Sequence, residues 1–101
     1  MNLKNYRKCY LENTIIPLPV MYDRRLSSDE KLLFGMITYG CRADGVSFAS
    51  NVELAEPFRC SKRKIASMLK SLAHAGHIHL VWTDRGASRM IYIAREHFGK
   101  D

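Results

Sequence analysis

A small α+β domain, mainly helical, is what this sequence predicts. Three observations carry that reading. Two capped helical segments follow one another across a short break, Ser50-x-x-Glu53 opening one and Ser61 the next. After Gly76 the apolar period changes from 3.6 to 2. And the 101 residues, 47% hydrophobic and 26% charged, make about one domain with one core. A Rossmann sheet or a β/α barrel would not fit.

The elements can be justified in order. Residues 1–13 (MNLKNYRKCYLEN) are polar and mixed, and read as an N-terminal arm. Its Tyr6, Arg7, Lys8 and Tyr10 leave three alternatives open: an arm that crosses to a homodimer partner, one that reaches DNA, or a disordered one. Thr14–Val20 is apolar but broken by Pro17 and Pro19, which predicts an extended edge segment rather than a central strand. Ser27 and Glu30 form a capping box, and Leu32, Leu33, Met36 and Ile37 recur behind it at helical spacing. Gly40 and Asp44-Gly45 are expected to mark the end of that helix and a turn. Gly35 inside it costs roughly 1 kcal/mol against Ala, and suggests that another element packs closely there.

Ser50 then opens a short helix with Val52, Leu54 and Ala55 as its apolar positions. Pro57 has no N–H for the carbonyl of Glu53, so this helix should end near it. After a break of about three residues, the usual helix-turn-helix spacing, Ser61 caps a third helix. Cys60 and Ile65 stand at the staple positions of that cap, Ile65, Met68, Leu69 and Leu72 form its stripe, and Gly76 stops it. Beyond Gly76, Ile78, Leu80 and Trp82 alternate with His77, His79 and Val81. Asp84-Arg85-Gly86-Ala87 supplies a turn, and Met90-Ile91-Tyr92-Ile93 a second strand. Two helices across a tight turn, followed by a hairpin, make a winged helix-turn-helix: three helices followed by a β-hairpin wing. The domain is expected to span 14–94, with 95–101 as a C-terminal tail.

The net charge of +6 is concentrated. Residues 1–56 sum to zero, whereas residues 57–83 carry Arg59, Lys62, Arg63, Lys64 and Lys70 and no Asp or Glu. A local basic patch is the footprint of a polyanion binder, and its bland counterpart is a solvated helix face. Stepping roughly 100° per residue from Ile65 turns Met68, Leu69 and Leu72 inward and Arg63, Ser67, Lys70 and His74 outward, flanked by Lys64 and Ala66. Arg can fork onto guanine, Ser can donate or accept, and Lys reaches bases or phosphates. Lys62 and the helix N-terminus suit a phosphate. Arg85 and Arg89 are expected at the hairpin tip, facing a minor groove or the backbone.

Two segments, IPLPVMYDRRLSSDEKLLFGMI (16–37) and GVSFASNVELAEPFRCSKRKIASMLKSLAHAGHI (45–78), resemble the N-terminal winged-helix domain of phage replisome organisers and plasmid replication initiators. The likeness covers residues 14–93 and is most specific at Asp23–Leu33 and Phe48–Ala55. It implies that the third helix reads double-stranded origin or operator DNA through Lys62, Arg63, Lys64, Ser67 and Lys70, with Asn51 nearby. The chain departs from the pattern at Arg59, where a glycine is usual in the turn, and at Pro57. Complete initiators of this kind carry a second, C-terminal domain that these residues do not contain. The expectation is therefore a DNA-binding domain of a longer protein or a stand-alone transcriptional regulator of a phage or plasmid.

Other constellations are weaker. His74-x-x-His77-x-His79 suits zinc only if the helix carrying His74 turned it toward the strand, and its wheel position points outward. Cys60 lies beside Arg59 and Lys62, yet its staple position favours a structural thiol. The odd, widely spaced Cys9, Cys41 and Cys60 are no disulfide framework. Trp82 and Tyr92 offer a stacking platform for single strands or, more simply, pin the hairpin to the helices. Tyr39, Phe48 and Phe58 read as core. No phosphate loop or carboxylate pair signals catalysis, so no enzyme activity, cofactor or metal is expected. There is no run of ~20 apolar residues and no apolar leader, which predicts a cytoplasmic protein away from membranes. Double-stranded DNA, a second copy of the chain, and replication or transcription proteins are the expected partners. The rival reading is a winged-helix interaction module whose basic face meets an acidic protein.

Overall fold

The structure is a computed structural model and describes residues 16–41, 45–86 and 88–97. The expected arm at 1–13 lies outside them. The elements are α1 (Leu18–Met21), α2 (Ser28–Cys41), β1 (Val46–Ser47), α3 (Asn51–Ala55), α4 (Lys62–His74), β2 (Ile78–Thr83) and β3 (Ser88–Ile93), with single 3₁₀ turns at Asp84–Gly86 and Arg95–His97. Among the described residues the strands form one antiparallel sheet in the order β1-β3-β2. No described helix is long and apolar enough to cross a membrane.

The local signals act as their chemistry requires. Ser27 Oγ accepts the Glu30 amide proton at 3.2 Å, and Glu30 Oε1 accepts from Ser27 N at 2.8 Å. Ser50 and Glu53 repeat this box at the start of α3. Ser61 Oγ accepts from Lys64 N at 3.1 Å. Gly76, at φ +86°, ends the segment after α4 in a conformation that L residues rarely adopt.

Four expectations are corrected. The Pro17–Pro19 segment is not extended: Pro17 caps the four-residue α1, whose first turn contains Pro19. A missing N–H costs nothing there, and Val20 is buried by the turn. Gly40 does not end α2, which runs on to Cys41. It lies where α2 approaches β1, and a Cβ on it would stand 3.1 Å from Ser47 Oγ. The hairpin gains a third strand, with Val46 opposite Tyr92 and Ser47 opposite Ile91. The connection between α3 and α4 runs over residues 56–61, longer than three residues. Phe58 N and Cys60 N both reach Ala55 O there, and Arg59 takes φ +53°, the left-handed conformation for which the usual glycine is suited.

One core joins α2, α3, α4 and the inner face of the sheet. Leu33, Phe34 and Ile37 meet Leu54, Ile65, Leu69 and Leu72, closed by Ile78, Ile91 and Ile93. Each fully buried side chain of this kind contributes about 1.5–3 kcal/mol. Tyr39 is buried as expected, and Phe58 and Cys60 pack on the edge of the core.

His77 is buried too, and it links distant parts of the chain. Its Nε2 lies 2.8 Å from Asp23 Oδ2 and its Nδ1 lies 2.9 Å from His97 Nε2. Arg25 completes the cluster, its Nε and Nη2 donating to Asp23 at 2.9 and 2.8 Å. The Arg25 hydrogen bonds, then that of His77, hold the Asp23 carboxyl well below the usual carboxylate range. His97 falls in the expected tail but packs edge-on against Phe34, with ring centroids 5.3 Å apart, so the folded unit reaches at least that residue.

Candidate nucleic-acid interface

The outward face of α4 is set by its buried one. With Ile65, Met68, Leu69 and Leu72 in the core, Arg63, Lys64, Ser67, Lys70 and His74 are all exposed, and so is Lys62. The first turn of α4 holds Lys62, Arg63 and Lys64 and no acid. A helix N-terminus carries a partial positive charge, so each of these cations is unfavourable to the helix by about 0.3–1 kcal/mol. By contrast, α2 begins with Asp29 and Glu30, and α3 has Glu53.

At the hairpin, Arg85 stands exposed at the tip with φ +58°. Arg89 does not stand there. It is the second residue of β3, opposite Trp82, and its guanidinium turns toward the loop before α3. Nη1 donates to Asn51 Oδ1, Nη2 donates to Ala49 O at 2.6 Å, and Cζ lies 5.8 Å from the Trp82 ring centroid. Asn51 is thereby held by Arg89 at the start of α3. The two residues belong to one cluster, which separates Arg89 from Arg85.

That cluster lines an open groove of about 420 Å³, with Phe48, Val52, Lys62 and Trp82 around it. Phe48 is not core, being 64% exposed, and Val52 is 63% exposed. Trp82 is 58% exposed. The groove could have been anticipated: a turn at 84–87 sets Thr83 opposite Ser88, which places Arg89 beside Trp82 on the same face. The same register puts Tyr92 opposite His79 on the other face, so Trp82 and Tyr92 form no common platform. The three candidate zinc histidines are likewise apart: His74 is exposed on α4, His77 is buried under Asp23, and His79 lies on the outer face of the sheet.

The architecture, a mainly helical α+β unit with a three-stranded antiparallel sheet, is consistent with a winged helix. It is similar to a solved structure described as the N-terminal domain of a DNA-binding protein, with a TM-score of 0.61 and 19% sequence identity over 92% of this chain and 79% of that one. At that identity the likeness concerns the fold. No family model matches the chain, and neither does any curated protein.

Proposed function

We propose that the chain is a non-enzymatic, sequence-specific double-stranded DNA-binding domain of the winged helix-turn-helix type. In this reading α4 enters the major groove, where Arg63, Ser67, Lys70 and His74 face base edges and Lys62 and Lys64 meet phosphates. The β2–β3 hairpin is the wing, with Arg85 beside the adjacent backbone. Asn51 and Arg89 support the start of α3 from within. The observation that carries the reading is the uncompensated first turn of α4, three cations at the positive end of a helix with an outward basic face. An anion at that end removes the penalty. The fold shared with a DNA-binding protein's N-terminal domain supports it. The resemblance to phage replisome organisers and plasmid initiators adds the biological setting we infer, replication initiation or transcriptional regulation on a mobile element, with a homodimer as one arrangement on DNA.

Fluorescence anisotropy against a mixed-sequence ~30-bp duplex between 50 and 200 mM salt tests it. Each neutralised phosphate adds about 0.9 to the log–log slope, so a slope of roughly −3 to −6 is expected. Changing Arg63, Ser67 and Lys70 together to alanine should abolish binding without unfolding the chain. Affinity that survives the triple change refutes the assignment of α4. Absence of binding at low salt turns the question to an acidic protein partner.

A further inference from the structure

Arg89 holds a positive charge that no carboxylate among the described residues neutralises. It is half-buried, and burial lowers its pKa. Its hydrogen-bond acceptors are both neutral carbonyl oxygens, of Asn51 and Ala49, and among the described residues no carboxylate pairs with it. Its Nε is buried without a hydrogen-bond partner among the described residues. Cations withdrawn from water are ordinarily paired with an anion, and among the described residues none stands beside this one. The same groove has Lys62 on its rim and exposes Phe48, Val52 and Trp82 around that charge. Arg89 sits over the Trp82 ring, yet the indole remains 58% exposed. A ligand that fits must bring an anionic group for the floor and a flat apolar surface for the rim. The volume lies within the ~300–1,000 Å³ common for small-molecule clefts.

We propose that this groove receives one unpaired nucleotide of a nucleic-acid strand, its phosphate against Arg89 and Lys62 and its base against the Trp82 ring. This deepens the nucleic-acid reading and rests on it, but apart from Lys62, which borders both, it uses a different surface from the outward face of α4. A domain built this way holds a duplex through α4 and captures a base that has left the stack beside the hairpin.

Trp82 is the single tryptophan of the chain, so its emission reports directly on stacking. The probes are a ~12-nucleotide oligothymidylate, an abasic strand of equal length and charge, and the fully paired duplex, each titrated into the whole chain. Oligothymidylate should quench Trp82, and the abasic strand should not. Trp82→Ala should weaken oligothymidylate binding roughly ten- to hundredfold, as loss of one base–aromatic stack does, while Trp82→Phe restores most of it and duplex affinity stays within about twofold. Equal quenching by the abasic strand, or a duplex that binds while oligothymidylate leaves Trp82 unchanged, overturns the nucleotide site and leaves the α4 reading standing. Oligothymidylate binding without duplex binding does the reverse.

Discussion

Lys64 is the residue at which stability and binding should part company. It is the third residue of α4, and its amide donates to Ser61 Oγ at 3.1 Å. At the same place in α2 and α3 stand Glu30 and Glu53, whose carboxylates accept from the serine amide at 2.8 Å each. Lys64→Glu should therefore complete a third capping box. The reciprocal bond, at an exposed helix start, is worth about 1 kcal/mol. Exchanging a cation for an anion at the positive end adds roughly 0.3–1 kcal/mol for each sign. The sum is about 2 kcal/mol, a rise in Tm of about 8–16 °C for a domain of this size. The same change should weaken duplex binding about tenfold or more and lower the salt slope by about 1. Thermal unfolding followed by circular dichroism, without DNA, measures the first effect, and anisotropy across salt the second. A variant that is more stable and binds duplex as tightly as the parent chain would show that the charge is not kept for an anion. A variant that is less stable would refute the cap and dipole reasoning itself.

Other outcomes follow from the core and the turns. His77→Ala should cost about 2–4 kcal/mol in urea unfolding, because it removes a buried ring together with its hydrogen bonds to Asp23 and His97. A loss under 1 kcal/mol would mean the cluster is not structural. Asp23 has a lowered folded-state pKa, so its contribution is present above the ordinary carboxylate range and is lost as the pH falls below about 4. Asp23→Asn should therefore flatten the acid limb of the stability profile, and an unchanged limb would contradict this. Arg59→Gly relieves a left-handed backbone at φ +53° but adds freedom to the unfolded chain, so stability should hold or rise by up to about 1 kcal/mol, and a clear fall in Tm would count against the turn geometry. Burial pushes the Cys41 thiol up to about 11, so at pH 8 about one molecule in a thousand is thiolate and the folded protein should resist a disulfide reagent at this site until denatured. Rapid labelling of Cys41 in the native state would contradict its burial.

What the sequence determined by itself is what acts within a few residues. A serine three places before a glutamate can only satisfy nearby amides, so the starts of α2 and α3 were legible, as was the Ser61 cap of α4. Helical spacing alone sorted Ile65, Met68, Leu69 and Leu72 from Arg63, Ser67, Lys70 and His74, because 3.6 residues per turn fixes direction before any neighbour is known. The alternation after Gly76 yielded the hairpin for the same reason. What only the tertiary structure decided joins residues far apart. Val46 and Ser47 are too few to announce a strand, and they become one because β3 offers free backbone groups on that edge. Pro17 and Pro19 are compatible with extended chain and with a first helical turn alike, and burial of Val20 selects the turn. Phe48 reads as core by hydrophobicity and Val52 as an apolar position of its helix, but core membership depends on which surface faces them, and theirs is a groove. Arg89 and His77 show the point most plainly. A charged or titratable side chain is placed by the partner that satisfies it, and those partners, Asn51 and Ala49 for one and Asp23 and His97 for the other, lie 20 to 54 positions away along the chain.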